Sequence, residues 1–172
     1  MATSRTQEAS SSTSHFAYQV FLSFRGKEIR RSFIDHLYTA LVQAGIHTFR
    51  DDEEIGKAED IKSELRRAIE QSRISIVVLS KDYASSNWCL DELLKILERR
   101  RTYGHVVLPI FYDVDRSQVR NQTGSFAEAL AKHEGSMKEG EGGRKSMRMD
   151  KVRQWREALR EVADLDRLAY DG

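Results

Sequence analysis

Apolar residues fall along this chain in two alternating rhythms: short unbroken runs, and stripes spaced at three and four. The runs are QVFLSF (19–24), IHTFR (46–50), ISIVVLS (74–80) and VVLPIFYDV (106–114). They are rich in β-branched and aromatic residues and predict strands. The third is apolar on both faces, as a central parallel strand requires. The stripes between them predict helices. Phe33, Leu37, Leu41 and Ala44 share one face over 30–44, and Gly45 follows as a stop. Ile61, Leu65, Ala68 and Ile69 do the same over 59–71, and Leu90, Leu93, Leu94 and Leu97 over 87–102. A helix is expected at 124–134 and a solvated loop at 135–143. An amphipathic helix over 151–163 turns Val152, Trp155, Leu159 and Val162 to one side.

Regular strand–helix alternation implies an α/β, flavodoxin-like three-layer fold. Its sheet is mainly parallel, with four to five strands, and helices cover both faces through right-handed crossovers. Pro109 has no N–H to give to a ladder, so the fourth strand belongs near an edge. The strand order 2-1-3-4 satisfies that and sets strand one beside strand three. The switch point then lies between Phe24-Arg25-Gly26 and Ser80–Glu92, where open α/β sheets bind ligands.

Composition narrows the picture only slightly. Of 172 residues, 40% are hydrophobic and 32% charged, and the formal net charge is +1. One folded domain fits, with no global field drawing it to nucleic acid; that partner stays open. No apolar run is long enough to span a bilayer, so no membrane partner is expected. Cys89 is the only cysteine, which excludes an intrachain disulfide and fits a reducing compartment. Residues 1–17 are rich in Ser and Thr and are expected to be disordered, leaving 18–172 as the folded domain. The five histidines show no metal-ligand spacing, and the usual glycine-rich nucleotide signatures are missing.

The turn from strand three into its helix, SKDYASSNWCLDELLKIL (80–97), concentrates the chemistry. Glu92 falls near a helix N-terminus, off the leucine stripe. That position suits a fixed anion able to stabilise a cationic transition state, and equally a solvated glutamate complementing the helix dipole. Trp88 suits stacking on a flat ring, or burial against the sheet. Cys89, with no histidine nearby in sequence, fits a buried structural thiol better than a nucleophile. Arg25-Gly26 suits a phosphate contact, or an ordinary strand-to-helix turn.

YQVFLSFRG, FIDHLYTAL, GIHTFRDD, SRISIVVLSKDYASSNWCLDEL, VLPIFYDVD and GSFAEALAKHE, in this order over about residues 18–164, resemble the successive motifs of a plant TIR domain. That domain is the N-terminal module of plant nucleotide-binding, leucine-rich-repeat immune receptors. The resemblance implies a flavodoxin-like fold and a domain that hydrolyses NAD⁺ when self-associated, triggering cell-death signalling. A homotypic interaction module with little enzyme activity is the alternative. By the resemblance, Glu92 is the catalytic glutamate, and Arg25, Gly26 and Trp88 contact substrate. No cofactor is needed, NAD⁺ being the substrate. The expected partners are further copies of the chain and other TIR domains. Self-association is expected through a surface of the first and last helices, with Asp35 and His36 on it, and through a second surface. The cytoplasm is the expected location, with the nucleus as a second one. The chain departs from the family pattern in the loop after strand two. There Gly56 and Ala58 replace an arginine and a glycine, an exchange expected to weaken catalysis.

Overall fold

The computed structural model describes residues 16–50, 58–138 and 143–165. The segment expected to be disordered, and Ile55–Lys57 of the altered loop, lie outside those residues apart from Phe16 and Ala17. Strand β1 is Tyr18–Ser23, and helix α1, Lys27–Ile29, continues through a π-type turn at Arg30–Ile34 into α2, Asp35–Gln43. Then come β2, Thr48–Arg50; α3, Ala58–Glu70; and β3, Ser72–Leu79. A short turn at Tyr83–Ser85 leads into α4, Asn87–Tyr103, followed by β4, Val106–Phe111. Helices α5, Arg116–Asn121, α6, Ser125–Lys138, and α7, Gly143–Asp164, complete the order.

The sheet has four strands among the described residues, in the order β2-β1-β3-β4, and every pairing is parallel. This is the expected topology. Pro109 pairs with Val77 on edge strand β4, where its missing N–H faces away from the ladder. Side chains alternate across β1. Val20, Leu22 and Phe24 join Ile34, Ile76 and Val78 under α2. Phe21, Val77 and Leu79 face the opposite layer, with Leu65, Leu90, Leu93, Leu130, Trp155 and Leu159. Gly45 has φ +78, the left-handed backbone that stops α2.

Three expectations change. Residues 135–138 extend α6 rather than opening a loop, and α7 starts earlier than the apolar stripe, at Gly143. Helix α5 had no stripe to announce it. It is set by a capping box in which Asp115 and Gln118 satisfy each other's backbone N–H groups, with Gln118 Oε1 2.9 Å from the Asp115 nitrogen. The first helix and the last described helix do not form one surface within a copy. Phe33, Leu37 and Leu41 pack on one side of the sheet, while Val152, Trp155 and Leu159 pack on the other.

At the N-terminal end of the strands, His105 is buried, with Nε2 2.7 Å from Ser75 Oγ. Burial, and secondarily the Arg99 cation, lower its pKa below the ordinary value of 6.5, against a backbone hydrogen bond with Ser72. The stability that neutral His105 supplies is complete above the unfolded value and is lost as pH falls through the lower native one. Denaturant unfolding between about pH 7.5 and 5 should therefore show stability falling with acidification, with a shallower slope for His105→Gln. An identical slope in the variant would assign the loss to other groups.

Candidate active site at the sheet switch point

The carboxyl ends of β1 and β3 meet at a buried knot of polar atoms. Tyr83, fully buried, lies 2.9 Å from Ser23 Oγ at the end of β1. Its hydroxyl donates to the Cys89 carbonyl in the first turn of α4 at 3.1 Å. Cys89 Sγ reaches back to the Phe24 carbonyl at 3.5 Å. Ser86 caps α4, its Oγ accepting from the Cys89 N–H at 3.3 Å. Cys89 is thus structural, as its surroundings in sequence suggested. Tyr83 was not singled out from sequence. Its only signal is a polar-tipped aromatic in a strand-to-helix turn, and its partners are far apart along the chain. Burial, then the neighbouring Cys89, then the Glu92 charge push its pKa well above 10.0, against the Ser23 bond. The hydroxyl therefore stays protonated and donates.

Glu92 is 6% exposed, which corrects the solvated alternative: its turn of α4 faces inward beside Tyr83. Glu92 and half-buried Trp88 line one cleft of about 280 Å³ between α3, α4 and α7. Among the described residues four cations border it: Lys62 and Arg66 from α3, Lys95 from α4 and Lys151 from α7. Lys62 Nζ stands 5.1 Å from the centroid of the Trp88 ring. Lys95 Nζ is shared by Glu70 and Glu98 at 3.6 and 3.8 Å. Asp91 is occupied structurally. Its Oδ1 takes the Trp155 indole N–H at 3.1 Å and Lys151 Nζ at 3.2 Å, tying α7 to α4. Sequence reading missed all four cations. Lys62 and Arg66 alternate with the inward Leu65 and Ile69, a legible outer face, but nothing local brings Lys151 to Glu92.

Arg25 and Gly26 are both half-buried, across the switch point, and are not among the described residues lining the cleft. Gly26 has φ +108, a conformation side chains rarely adopt. A Cβ there would meet Asp82 Oδ2 at 3.6 Å, an ordinary contact, so backbone geometry and not space demands glycine. The Tyr83–Cys89 knot connects this turn to α4. Asp35 and His36 lie elsewhere, on α2. His36 is exposed, whereas Asp35 is half-buried and ion-paired with Arg50 of β2, which also stands 4.5 Å from the Tyr38 ring centroid. Asp35 thus fastens α2 to the sheet while its side chain stays 46% exposed, and His36 is exposed beside it. Ala58–Asp60 of the altered loop form the start of α3.

A parallel α/β sheet with a buried carboxylate at its switch point defines a ligand-handling domain of the doubly wound class. The chain belongs to the TIR domain family, whose model matches residues 17–170. It is 49% identical over 171 residues to Disease resistance protein RPV1 of Vitis rotundifolia, covering 96% of this chain and 11% of that protein. With TMV resistance protein N of Nicotiana glutinosa it shares 47% over 157 residues, 91% of this chain and 13% of that protein. The chain therefore spans roughly a tenth of those relatives. Its fold matches the TIR domains of the activated Roq1 resistosome, which directly recognises the pathogen effector XopQ. That match has a TM-score of 0.75 at 49% identity and covers 86% of this chain and 84% of that one.

Tyr83→Phe should destabilise the fold by about 1–3 kcal/mol, because Ser23 Oγ and the Cys89 carbonyl stay buried without their partner. Urea unfolding at neutral pH measures it. A change under about 0.5 kcal/mol would remove Tyr83 as the fastening of the switch point.

Proposed function

We infer that this TIR domain hydrolyses NAD⁺ to nicotinamide and ADP-ribose, working in a self-associated form that signals plant defence. The observation that carries the reading is the buried Glu92 carboxylate inside a cleft bordered by four cations. Burying a carboxylate is costly. A site retains one where opposite charge develops during reaction, because a preorganised charge needs no reorganisation at that moment. NAD⁺ matches both signs: its ribosyl-pyridinium end is cationic and its pyrophosphate anionic.

In the reaction the bond between the ribose anomeric carbon and the pyridinium nitrogen breaks. The bonding pair goes to nicotinamide, which leaves neutral, so no general acid is needed. Water adds to the oxocarbenium-like carbon and releases a proton, giving ADP-ribose. Glu92 stabilises the developing charge and orients the water, and Trp88 offers a face to the flat ring. Common glycosidases use two carboxylates. Here, among the described residues lining the cleft, Asp91 takes the Trp155 indole N–H and Lys151, and Glu92 is the buried carboxylate. Similarity to the TIR domains of an activated resistosome supports assembly as the working state.

Glu92→Gln keeps the buried volume and removes the charge. Nicotinamide release from concentrated protein should fall by about 10²-fold. Release at the unmodified rate would exclude Glu92, and no release from the parent protein under crowding would leave a homotypic interaction module. His36→Ala should weaken self-association with little change in unfolding free energy, since His36 is exposed. Light scattering over a concentration series checks it, and an unchanged association constant would return His36 to a solvated face.

A further inference from the structure

The Glu92 cleft, at about 280 Å³, is small for a dinucleotide. A second cleft of about 540 Å³ adjoins it and shares Lys62, Trp88, Asp91 and Lys151. Its own walls are Asn87 at the start of α4, His133 and Ser136 of α6, and Trp155 of α7. Trp88, with Lys62, Asp91 and Lys151, thus forms the partition that the two chambers share. Lys62 lies over its ring, and Lys151 is held by Asp91, which also anchors the Trp155 indole.

We propose that the substrate straddles this partition, with its ribosyl-nicotinamide end beside Glu92 and its adenosine diphosphate end in the second cleft. The proposal rests on the reading of the first cleft as the NAD⁺ site. Charge supports it: Lys62 and Lys151 outnumber Asp91 on the ridge, where a pyrophosphate carrying two negative charges would cross. Wall chemistry supports it as well. The exposed Asn87 amide and Ser136 hydroxyl can meet ribose hydroxyls and a purine edge. His133, fixed by its Nε2 contact of 2.8 Å with the Ala84 carbonyl, packs edge-on to Trp155 at 5.2 Å and gives the chamber an aromatic wall. The second chamber would then favour dinucleotides over mononucleotides.

The chain has two tryptophans, and loss of one indole N–H signal in Trp88→Phe assigns both; Trp88 borders both chambers, whereas Trp155 lines the second alone and reports it. Titration of the full chain with ADP alone should move the Trp155 signal saturably. Nicotinamide mononucleotide should move that of Trp88 and leave Trp155 in place. Ser136→Phe, which fills the second cleft from an exposed position, should weaken the ADP response about tenfold and spare the mononucleotide response. An unmoved Trp155 signal under ADP overturns the proposal, and so does an ADP affinity unaffected by Ser136→Phe. Nicotinamide release by the assembled protein separates the two readings. Release without an ADP response sinks the second chamber alone. An ADP response without release leaves a nucleotide chamber and sinks the hydrolase.

Discussion

The architecture of the site depends on one fully buried hydroxyl. Tyr83 bonds the end of β1 through Ser23 and the first turn of α4 through Cys89, and Cys89 returns to Phe24. Such a knot works because its polar atoms are mutually satisfied in an apolar setting, where an unmet hydroxyl would be costly. It fixes the angle at which α4 leaves the sheet, and therefore where Trp88, Asp91 and Glu92 point. It also sets the distance from α4 to the Arg25-Gly26 turn.

Two adjacent carboxylates on α4 then take different work. Asp91 is spent on structure, holding α7 through Trp155 and Lys151. Glu92, one residue on, turns inward and stays buried beside Tyr83. A helix rotates about 100° per residue, so neighbours in sequence meet different surroundings. The result, among the described residues, is a single buried carboxylate beside a rim of cations.

The two layers of helices set the cleft and the exposed face of α2 on opposite sides of the sheet. The cleft lies in the layer of α3, α4 and α7, and His36 is exposed on α2 across the sheet. Assembly through α2 would leave the cleft uncovered. Asp35, next to His36, forms an ion pair with Arg50 that holds α2 against β2.

Much of the fold was legible in the sequence, because a parallel sheet writes its strands as apolar runs and its helices as stripes. Those patterns, with Pro109 placing β4 at an edge, determined the strand order and hence the switch point. The family motifs then pointed to Glu92, Arg25, Gly26 and Trp88. What tertiary structure decided was contact and burial. Glu92 reads as a surface residue because its one-dimensional neighbours are the stripe it avoids, yet the packing of α4 beside Tyr83 buries it. Asp35 and His36 look alike off the same stripe, but Arg50 of β2 claims only the first. Helix α5 escaped because a six-residue helix held by a capping box has no periodicity to read. The cation rim and the second chamber were invisible for a related reason. Lys62, Trp88, His133, Lys151 and Trp155 come from separate helices, and only their packing makes them neighbours.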